Sequence, residues 1–191
     1  MFTNPLFASF TYDGDVDIND KTQEKLKAMG DELFEKTDIS TVIVAKKFLD
    51  KKSYLEIKDK YLKELKEPYI LWIFSKKYDE RDSVGINQLM TSDDLKDKYD
   101  ENSMFSPFGG TFTKIIVIQK SKSDPTGAAF LNGYADLTDM LAASYGVTLK
   151  SSIGNETRDT MNVARVLMYL TFLFFGVWTI KVKFFKKDKN V

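Results

Sequence analysis

The chain has 191 residues with 28 acidic and 28 basic side chains, so its formal net charge is zero. It contains neither cysteine nor histidine, which excludes disulfides, thiol nucleophiles and zinc–thiolate sites and removes the commonest general base. The charge is unevenly placed, because residues 161–191 carry six basic residues and one acidic residue, which leaves the preceding part with a net charge of −5. An acidic domain is a poor match for nucleic acid, and we expect no haem, zinc or nucleotide cofactor.

The N-terminal stretch M-F-T-N-P-L-F-A-S-F is apolar, but it lacks a basic start and is too short for a signal peptide. We interpret residues 1–17 as the remnant of a signal peptide followed by an acidic loop. In this interpretation the true start lies upstream and the domain is exported. The alternative is a tail-anchored protein whose domain faces the cytoplasm.

The acidic loop, Y-D-G-D-V-D-I-N-D, has carboxylates at alternate positions. Its candidate metal ligands are Asp13, Asp15, Asp17 and Asp20. The spacing resembles the start of an EF-hand calcium loop, but Ile18 stands where that loop needs glycine, which disfavours a standard EF-hand. Two interpretations stay open. Asp20 and Gln23 form a capping pair for the next helix, or the loop contributes oxygen ligands to a looser calcium site.

Hydrophobic periodicity predicts alternating helices and strands between residues 20 and 90. The predicted helices cover Asp20–Lys36 and Lys52–Lys66, and the predicted strands cover Ile39–Ala45, Tyr69–Phe74 and Val84–Met90. The strand Y-I-L-W-I-F is apolar at every position, which is typical of a central strand covered on both faces. This order predicts an α/β domain over residues 18–149, with helices on both faces of its sheet.

A polar loop, S-K-K-Y-D-E-R-D-S, follows the central strand and carries two more candidate metal ligands, Asp79 and Asp82. Both would join the acidic loop if the two loops meet at one end of the sheet. Such oxygen ligands favour a hard cation such as calcium or magnesium.

The next part of the chain predicts a short capped helix over Ser92–Tyr99 and then the stretch S-P-F-G-G-T-F-T-K. Its paired glycines suggest phosphate binding, but the spacing is not G-x-x-x-x-G-K-[ST], so we interpret it as a tight turn, with an anion site as the alternative. Ile115–Ile118 is either a short edge strand or a buried turn. The last helix of the domain runs from Gly127 to Gly146, where glycine is a helix-ending signal.

An uncharged stretch of fifteen residues, Val166–Ile180, lies near the C-terminus and extends with its apolar flanks over residues 163–185. Twenty-three helical residues can span a bilayer core, and Tyr169 and Trp178 stand near the ends, where aromatic residues prefer the interface. We predict one C-terminal transmembrane helix, with a buried core helix as the alternative. A linker at 150–162 precedes it, and a basic tail at 186–191 follows and favours the cytoplasmic side.

Three motifs, P-Y-I-L-W-I-F, S-P-F-G-G and L-N-G-Y-A-D, stand in this order ahead of the hydrophobic segment. With the predicted elements they resemble the TPM domain family, and small membrane-anchored bacterial members in particular, from about Ile18 to the anchor. The resemblance implies a mixed β-sheet sandwiched between helices and followed by the transmembrane helix. It also implies an acidic pocket that holds calcium in some members, and a domain on the periplasmic side of the bacterial inner membrane.

Two functions fit this chain. The first is a non-catalytic module, held at the membrane, that binds, assembles or maintains other membrane or envelope proteins. We favour it because no pair of nucleophile and base is identifiable in the sequence. The second is an acid phosphatase in which aspartates hold a divalent metal ion, an activity attributed to some members of the family.

Overall fold

A computed structural model describes residues 9–79, 85–118, 124–153, 166–178 and 181 of the chain. The chain divides into two compact units, one up to Ser152 and one from Ile153 onward. The strands of the first unit are β1 (Phe10–Gly14), β2 (Ser40–Leu49), β3 (Tyr69–Tyr78) and β4 (Asn87–Thr91). Its helices are α1 (Asp20–Thr37), α2 (Lys51–Glu64), α3 (Glu101–Phe105), α4 (Thr111–Ile118) and α5 (Thr126–Ser144).

The four strands form one mixed sheet in the order β1-β2-β3-β4. The first three strands are parallel, and β4 runs antiparallel to β3. The prediction of an α/β domain with a mixed sheet between helices is confirmed. The prediction that β3 is an interior strand is also confirmed, because it pairs on both sides and five of its residues in succession are fully or almost fully buried, Ile70, Leu71, Trp72, Ile73 and Phe74.

One face of the sheet is covered by α2. Tyr54 and Tyr61 of this helix belong to a buried cluster that includes Val44 of β2 and Ile73 of β3. The helix begins at a cap in which the carboxylate of Asp50 accepts a hydrogen bond from the backbone N–H of Ser53 at 2.7 Å. The apolar side of this helix therefore faces the sheet.

The opposite face is covered by α1, α4 and α5. The indole ring of Trp72 in β3 lies against the rings of Phe112 in α4 and Phe130 in α5, with centroid distances of 5.1 and 5.0 Å. Since β1, β2 and β3 step across the sheet in one direction while α1 and α2 lie on opposite faces, the two parallel crossovers have opposite hands. One of them is therefore of the rare left-handed kind.

Three local predictions are wrong. The segment Ser92–Tyr99 is not a helix, since it contains only one 3-10 turn over Asp93–Leu95. Ile115–Ile118 is neither a strand nor a turn but the end of α4, where packing of one helical face on Trp72 overrides the β propensity of its branched residues. Helix α1 is capped by Asn19, whose side chain accepts from the N–H of Thr22 at 2.9 Å, and not by Asp20 with Gln23.

The second unit contains a helix over residues 166–178. The large apolar side chains of this helix are between 50% and 69% exposed. In the part of the chain that the structure describes, no helix combines the length and the apolar character that crossing a membrane requires. Of the predicted span 163–185, the structure describes residues 166–178 and Lys181. The rest of the span, residues 154–162 of the linker and the basic tail lie outside the described residues, so the transmembrane helix stays a prediction.

Candidate functional site

The acidic loop begins inside the sheet, because Asp13 is the fourth residue of β1. One oxygen of its carboxylate accepts a hydrogen bond from Nζ of Lys46 at 2.7 Å, and the other accepts one from the hydroxyl of Tyr61 at 2.6 Å. Partial burial acts to raise the pKa of Asp13, but the bonds from Lys46 and Tyr61 outweigh it and hold this pKa below its usual value. Both oxygens of Asp13 thus have protein partners already.

The other carboxylates of the loop have different surroundings. Asp15 accepts a hydrogen bond from the backbone N–H of Lys47 at 2.7 Å, and Asp17 is exposed. Asp20 lines a depression of about 330 Å³ together with Tyr12 and other residues of β1 and α1. Among the described residues no three acidic side chains converge as metal ligands would.

The loop nevertheless creates a negative potential around Tyr12. Burial raises the pKa of the Tyr12 hydroxyl to about 12, and the charges of Asp15, Asp13 and Asp17 add to this increase. The hydroxyl donates a hydrogen bond to the carbonyl oxygen of Val16 at 3.0 Å, which fixes the turn after β1.

The second group of predicted ligands lies elsewhere. Asp79 follows β3 in the left-handed conformation, with φ of 57°, and its N–H donates to the carbonyl of Leu49 at 2.9 Å. In the register of the sheet, Ile73 is level with Asp13. Asp79 lies six residues beyond Ile73, which is about 20 Å along the strand direction. Asp82 lies outside the described residues. Asp79 is therefore far from Asp13, and the described carboxylates form no group of three that could hold a calcium ion.

A cleft that the sequence did not indicate opens at the carboxyl end of β3. This β3–β4 cleft has a volume of about 430 Å³. It is lined by Phe74, Ser75, Lys76, Gly85, Ile86, Asn87, Phe112, Thr113, Ile116, Asp124, Pro125 and Thr126. Its position between strand ends and the beginning of a helix is the usual place for a ligand in a sheet of this class.

The polar end of the cleft is held by an ion pair between Lys76 and Asp124. Asp124 also accepts hydrogen bonds from the backbone N–H and the hydroxyl of Thr126, at 3.1 and 2.6 Å, immediately before α5, whose N-cap residue is Pro125. Partial burial acts to raise the pKa of Asp124, but Lys76 and Thr126 lower it below the usual value. The carboxylate is thus ionised and neutralised by its partners, which suits a binding wall better than a general base.

The floor of the cleft is closely packed. Ser75 is fully buried, and its hydroxyl accepts a hydrogen bond from the N–H of Ile86 at 3.4 Å. A Cβ atom on Gly85 would lie 1.9 Å from the carbonyl oxygen of Ser75, so only glycine permits this approach of the chain. The indole N–H of Trp72 donates to Oδ1 of Asn87 at 2.7 Å and fixes the amide at the mouth.

The walls are apolar and come from Phe74, Phe112 and Ile116, whereas the side chain of Ile86 packs against the buried cluster on the α2 face. They surround a space that suits one or two apolar side chains of a ligand. A sequence signal for the polar end did exist in D-P-T-G at the start of α5, where aspartate and threonine are typical of a helix cap. The walls had no such signal, because β4 and α4 come together only through the tertiary fold.

Comparisons with known protein families, curated proteins and solved structures gave no match for this chain.

Proposed function

We propose that this chain is a membrane-anchored domain of the TPM type that binds another membrane or envelope protein and catalyses no reaction. The observation that carries the proposal is the β3–β4 cleft, whose walls are apolar and whose described lining includes one carboxylate, that of Asp124, paired with Lys76. Such a cleft can hold apolar side chains of a partner, and among the residues described around it no exposed nucleophile lies next to a free base.

The anchor is the second part of the proposal. The large apolar residues of the helix over residues 166–178 are at least half exposed, and this unfavourable contact with water is lost when the helix enters hydrocarbon. We propose that residues 163–185 span the bacterial inner membrane and that the domain lies in the periplasm. The alternative is a tail anchor with a cytoplasmic domain. Protease added to spheroplasts distinguishes the two, because only a periplasmic domain is digested while the inner membrane stays intact.

A photocrosslinking amino acid in the cleft tests the binding function. Placed at Ile116, which lines the cleft, it should join the chain to a defined partner in the native membrane. The matched control is the neighbouring Val117, which is apolar and 63% exposed but does not line the cleft. A Thr113→Trp substitution, which fills the cleft, should abolish the product formed from Ile116. Equal crosslinking from Ile116 and Val117, or a product that survives Thr113→Trp, would show that the cleft does not bind the partner.

The alternative function is a metal-assisted acid phosphatase. The negative potential that Asp13, Asp15 and Asp17 produce at Tyr12 would also attract a divalent cation such as calcium. If the full chain in detergent binds calcium, its melting temperature should rise with calcium concentration, since a ligand at about 100 times its dissociation constant stabilises by roughly 2.7 kcal/mol. Phosphatase turnover no higher than that of a chain carrying Asp17→Asn and Asp82→Asn would exclude this activity.

A further inference from the structure

Strand β4 is an edge of the sheet, and its register decides which backbone groups face outward. At one end the N–H of Ser75 donates to the carbonyl of Ile86 at 2.8 Å, and at the other the N–H of Ser92 donates to the carbonyl of Tyr69 at 3.2 Å. Antiparallel pairs alternate between bonded and non-bonded residues. The even-numbered residues of β4 therefore bond to β3, and the odd-numbered residues direct their N–H and C=O groups away from the sheet.

The outward groups belong to Asn87, Leu89 and Thr91. Within the described ranges, no backbone N–H or C=O of these three residues has a hydrogen-bond partner. Their side chains are engaged or buried instead: Asn87 accepts from Trp72, and Leu89 lies in the core. Among the described residues, the edge thus presents a row of backbone donors and acceptors without partners.

The two edges of the sheet differ in how they resist pairing with another chain. Charged residues and proline protect exposed edges. Edge strand β1 contains Asp13, and Asp15 and Asp17 follow directly. Edge strand β4, N-Q-L-M-T, contains neither charge nor proline. Asp93 and Asp94 follow β4 by two and three positions, so the edges differ in the charge within the strand itself, which β1 has and β4 lacks.

The free edge lies beside the β3–β4 cleft. Ile86, directly before β4, and Asn87, its first residue, line the cleft. A strand added along β4 would place every second side chain on the sheet face that carries Leu89. This is the cleft's face, because Leu89 is level with Trp72 and the ring of Trp72 lies against Phe112. Main-chain bonds to the edge and an apolar side chain in the cleft are then available to the same ligand.

We propose that β4 binds an extended, uncharged segment of a partner protein as a fifth strand and that one apolar side chain of this segment enters the cleft. The proposal rests on the proposed binding function and names its ligand class. A partner segment fits better than a second copy of this chain. The edge has five residues and is about 17 Å long, which matches one short strand of a partner. A second folded copy would need a much more extensive contact, since stable association of two folded copies buries roughly 1,200 Å² of surface.

The probe is a fluorescent peptide of about nine residues, with valine and threonine alternating between terminal lysines, which matches a typical strand in length. It is titrated into the full chain in detergent micelles. We expect binding, together with slower hydrogen exchange at the amides of Leu89 and Thr91. A peptide of the same sequence with all valine and threonine amides N-methylated should not bind, because it cannot form main-chain bonds. No binding of the first peptide at about 1 mM, or equal binding of both, would overturn the proposal.

A pair of variants at Thr91 tests the edge itself. Thr91→Pro removes one outward N–H and leaves the bonds to β3 intact, as proline does on an edge. Thr91→Val keeps the N–H and removes only the hydroxyl. We expect Thr91→Pro to weaken peptide binding about tenfold and Thr91→Val to change it less than about twofold. Circular dichroism and melting temperature verify that both variants fold, and equal affinities of two folded variants would contradict the proposal.

The Thr91→Pro variant distinguishes a failure of this inference from a failure of the proposed binding function. If Thr91→Pro leaves the crosslink from Ile116 at full strength, the cleft binds its partner without strand addition, and only the present inference fails. If the crosslink from Ile116 is absent in the parent chain while the peptide still binds, the proposed function fails instead. Sedimentation of a dimer that Thr91→Pro dissociates would show that a second copy occupies the edge, which would also overturn the proposal.

Discussion

The carboxylate of Glu32 holds Ser151, which lies 119 positions later in the chain. One oxygen accepts hydrogen bonds from both the N–H and the hydroxyl of Ser151, at 2.8 and 2.5 Å, and the other accepts one from the N–H of Lys150 at 2.8 Å. Lys36 pairs with the same carboxylate and also donates to the carbonyl of Thr148 at 2.7 Å. Helix α1 thus fixes the last residues of the domain, immediately before the chain continues toward residues 166–178.

Glu32→Gln should destabilise the domain by about 1–2 kcal/mol at neutral pH, because the charge-assisted bonds to Lys36, Lys150 and Ser151 weaken together. Burial acts to raise the pKa of Glu32, but these bonds lower it from 4.5 to about 2. A carboxylate with a lowered pKa stabilises the fold fully above its unfolded pKa and loses this contribution as the pH falls.

The difference in unfolding free energy between the parent and Glu32→Gln should therefore be constant above pH 5 and shrink between about pH 4.5 and 2. Urea unfolding at a series of pH values measures it. The exposed Glu35 on the same helix provides the control, since Glu35→Gln should change stability by less than about 0.5 kcal/mol. A constant difference down to pH 2 would contradict the role assigned to the charge of Glu32.

Gly30→Ala should destabilise the domain although alanine is the better helix former. A Cβ atom at Gly30 would lie 2.6 Å from Cβ of Phe10 and 2.8 Å from the hydroxyl oxygen of Tyr134, so α1 would have to move away from the sheet and α5. Overpacking of this kind costs about 1–3 kcal/mol, which exceeds the gain of roughly 1 kcal/mol in helix propensity.

The control for this prediction is Gly127→Ala in α5. There the nearest atom, on Ile18, would be 3.5 Å away, which is an ordinary contact, so we expect unchanged or slightly increased stability. Thermal unfolding of both variants measures the opposite signs. A Gly30→Ala chain as stable as its parent would show that the contact between α1 and Phe10 adjusts without cost.

These contacts illustrate what the sequence reveals and what it does not. The long helices and the interior strand follow from local periodicity, as in Tyr69–Phe74, where every residue is apolar. Strand β1 is missing from the prediction, because Asp13 and Gly14 give its five residues a loop-like composition, and only pairing with β2 reveals it. Helix α4 is the reverse case, since Ile115 and Ile116 favour a strand locally but belong to a helix that packs on Trp72.

The candidate site is likewise only partly predictable from the sequence. Spacing identified the acidic loop, but it carried no information on the partners of each carboxylate, such as Lys46 and Tyr61 for Asp13. The β3–β4 cleft joins residues as far apart as Phe74 and Thr126. Neither its walls nor the pairing of Lys76 with Asp124 leaves a pattern that can be recognised along the chain.

Tyr61→Phe should raise the pKa of Asp13, because it removes one of the two hydrogen bonds that hold this pKa below its usual value. It should also lower stability by about 1 kcal/mol above pH 4, an effect that decreases as Asp13 becomes protonated at lower pH. Carboxyl resonances followed by NMR during a pH titration measure the shift.

Tyr54→Phe is the control for this prediction. It removes a hydroxyl from the same face of α2, but this hydroxyl contacts Gln88 and not Asp13. We expect a similar loss of stability and no change in the pKa of Asp13. An equal shift in both variants would mean that the pKa responds to general loosening of α2 and not to the hydroxyl of Tyr61.

Two phenylalanines in the stretch S-P-F-G-G-T-F should respond in opposite ways to truncation. Phe112 is buried and lies within 5.7 Å, between ring centroids, of Trp72, Phe74 and Phe130. Phe112→Ala should therefore cost about 3–5 kcal/mol. Phe108 is 98% exposed, and Phe108→Ala should change the unfolding free energy by less than about 0.5 kcal/mol. Urea unfolding of the two variants measures both values. A loss of more than about 1 kcal/mol on truncating Phe108 would mean that its ring packs against the domain in solution.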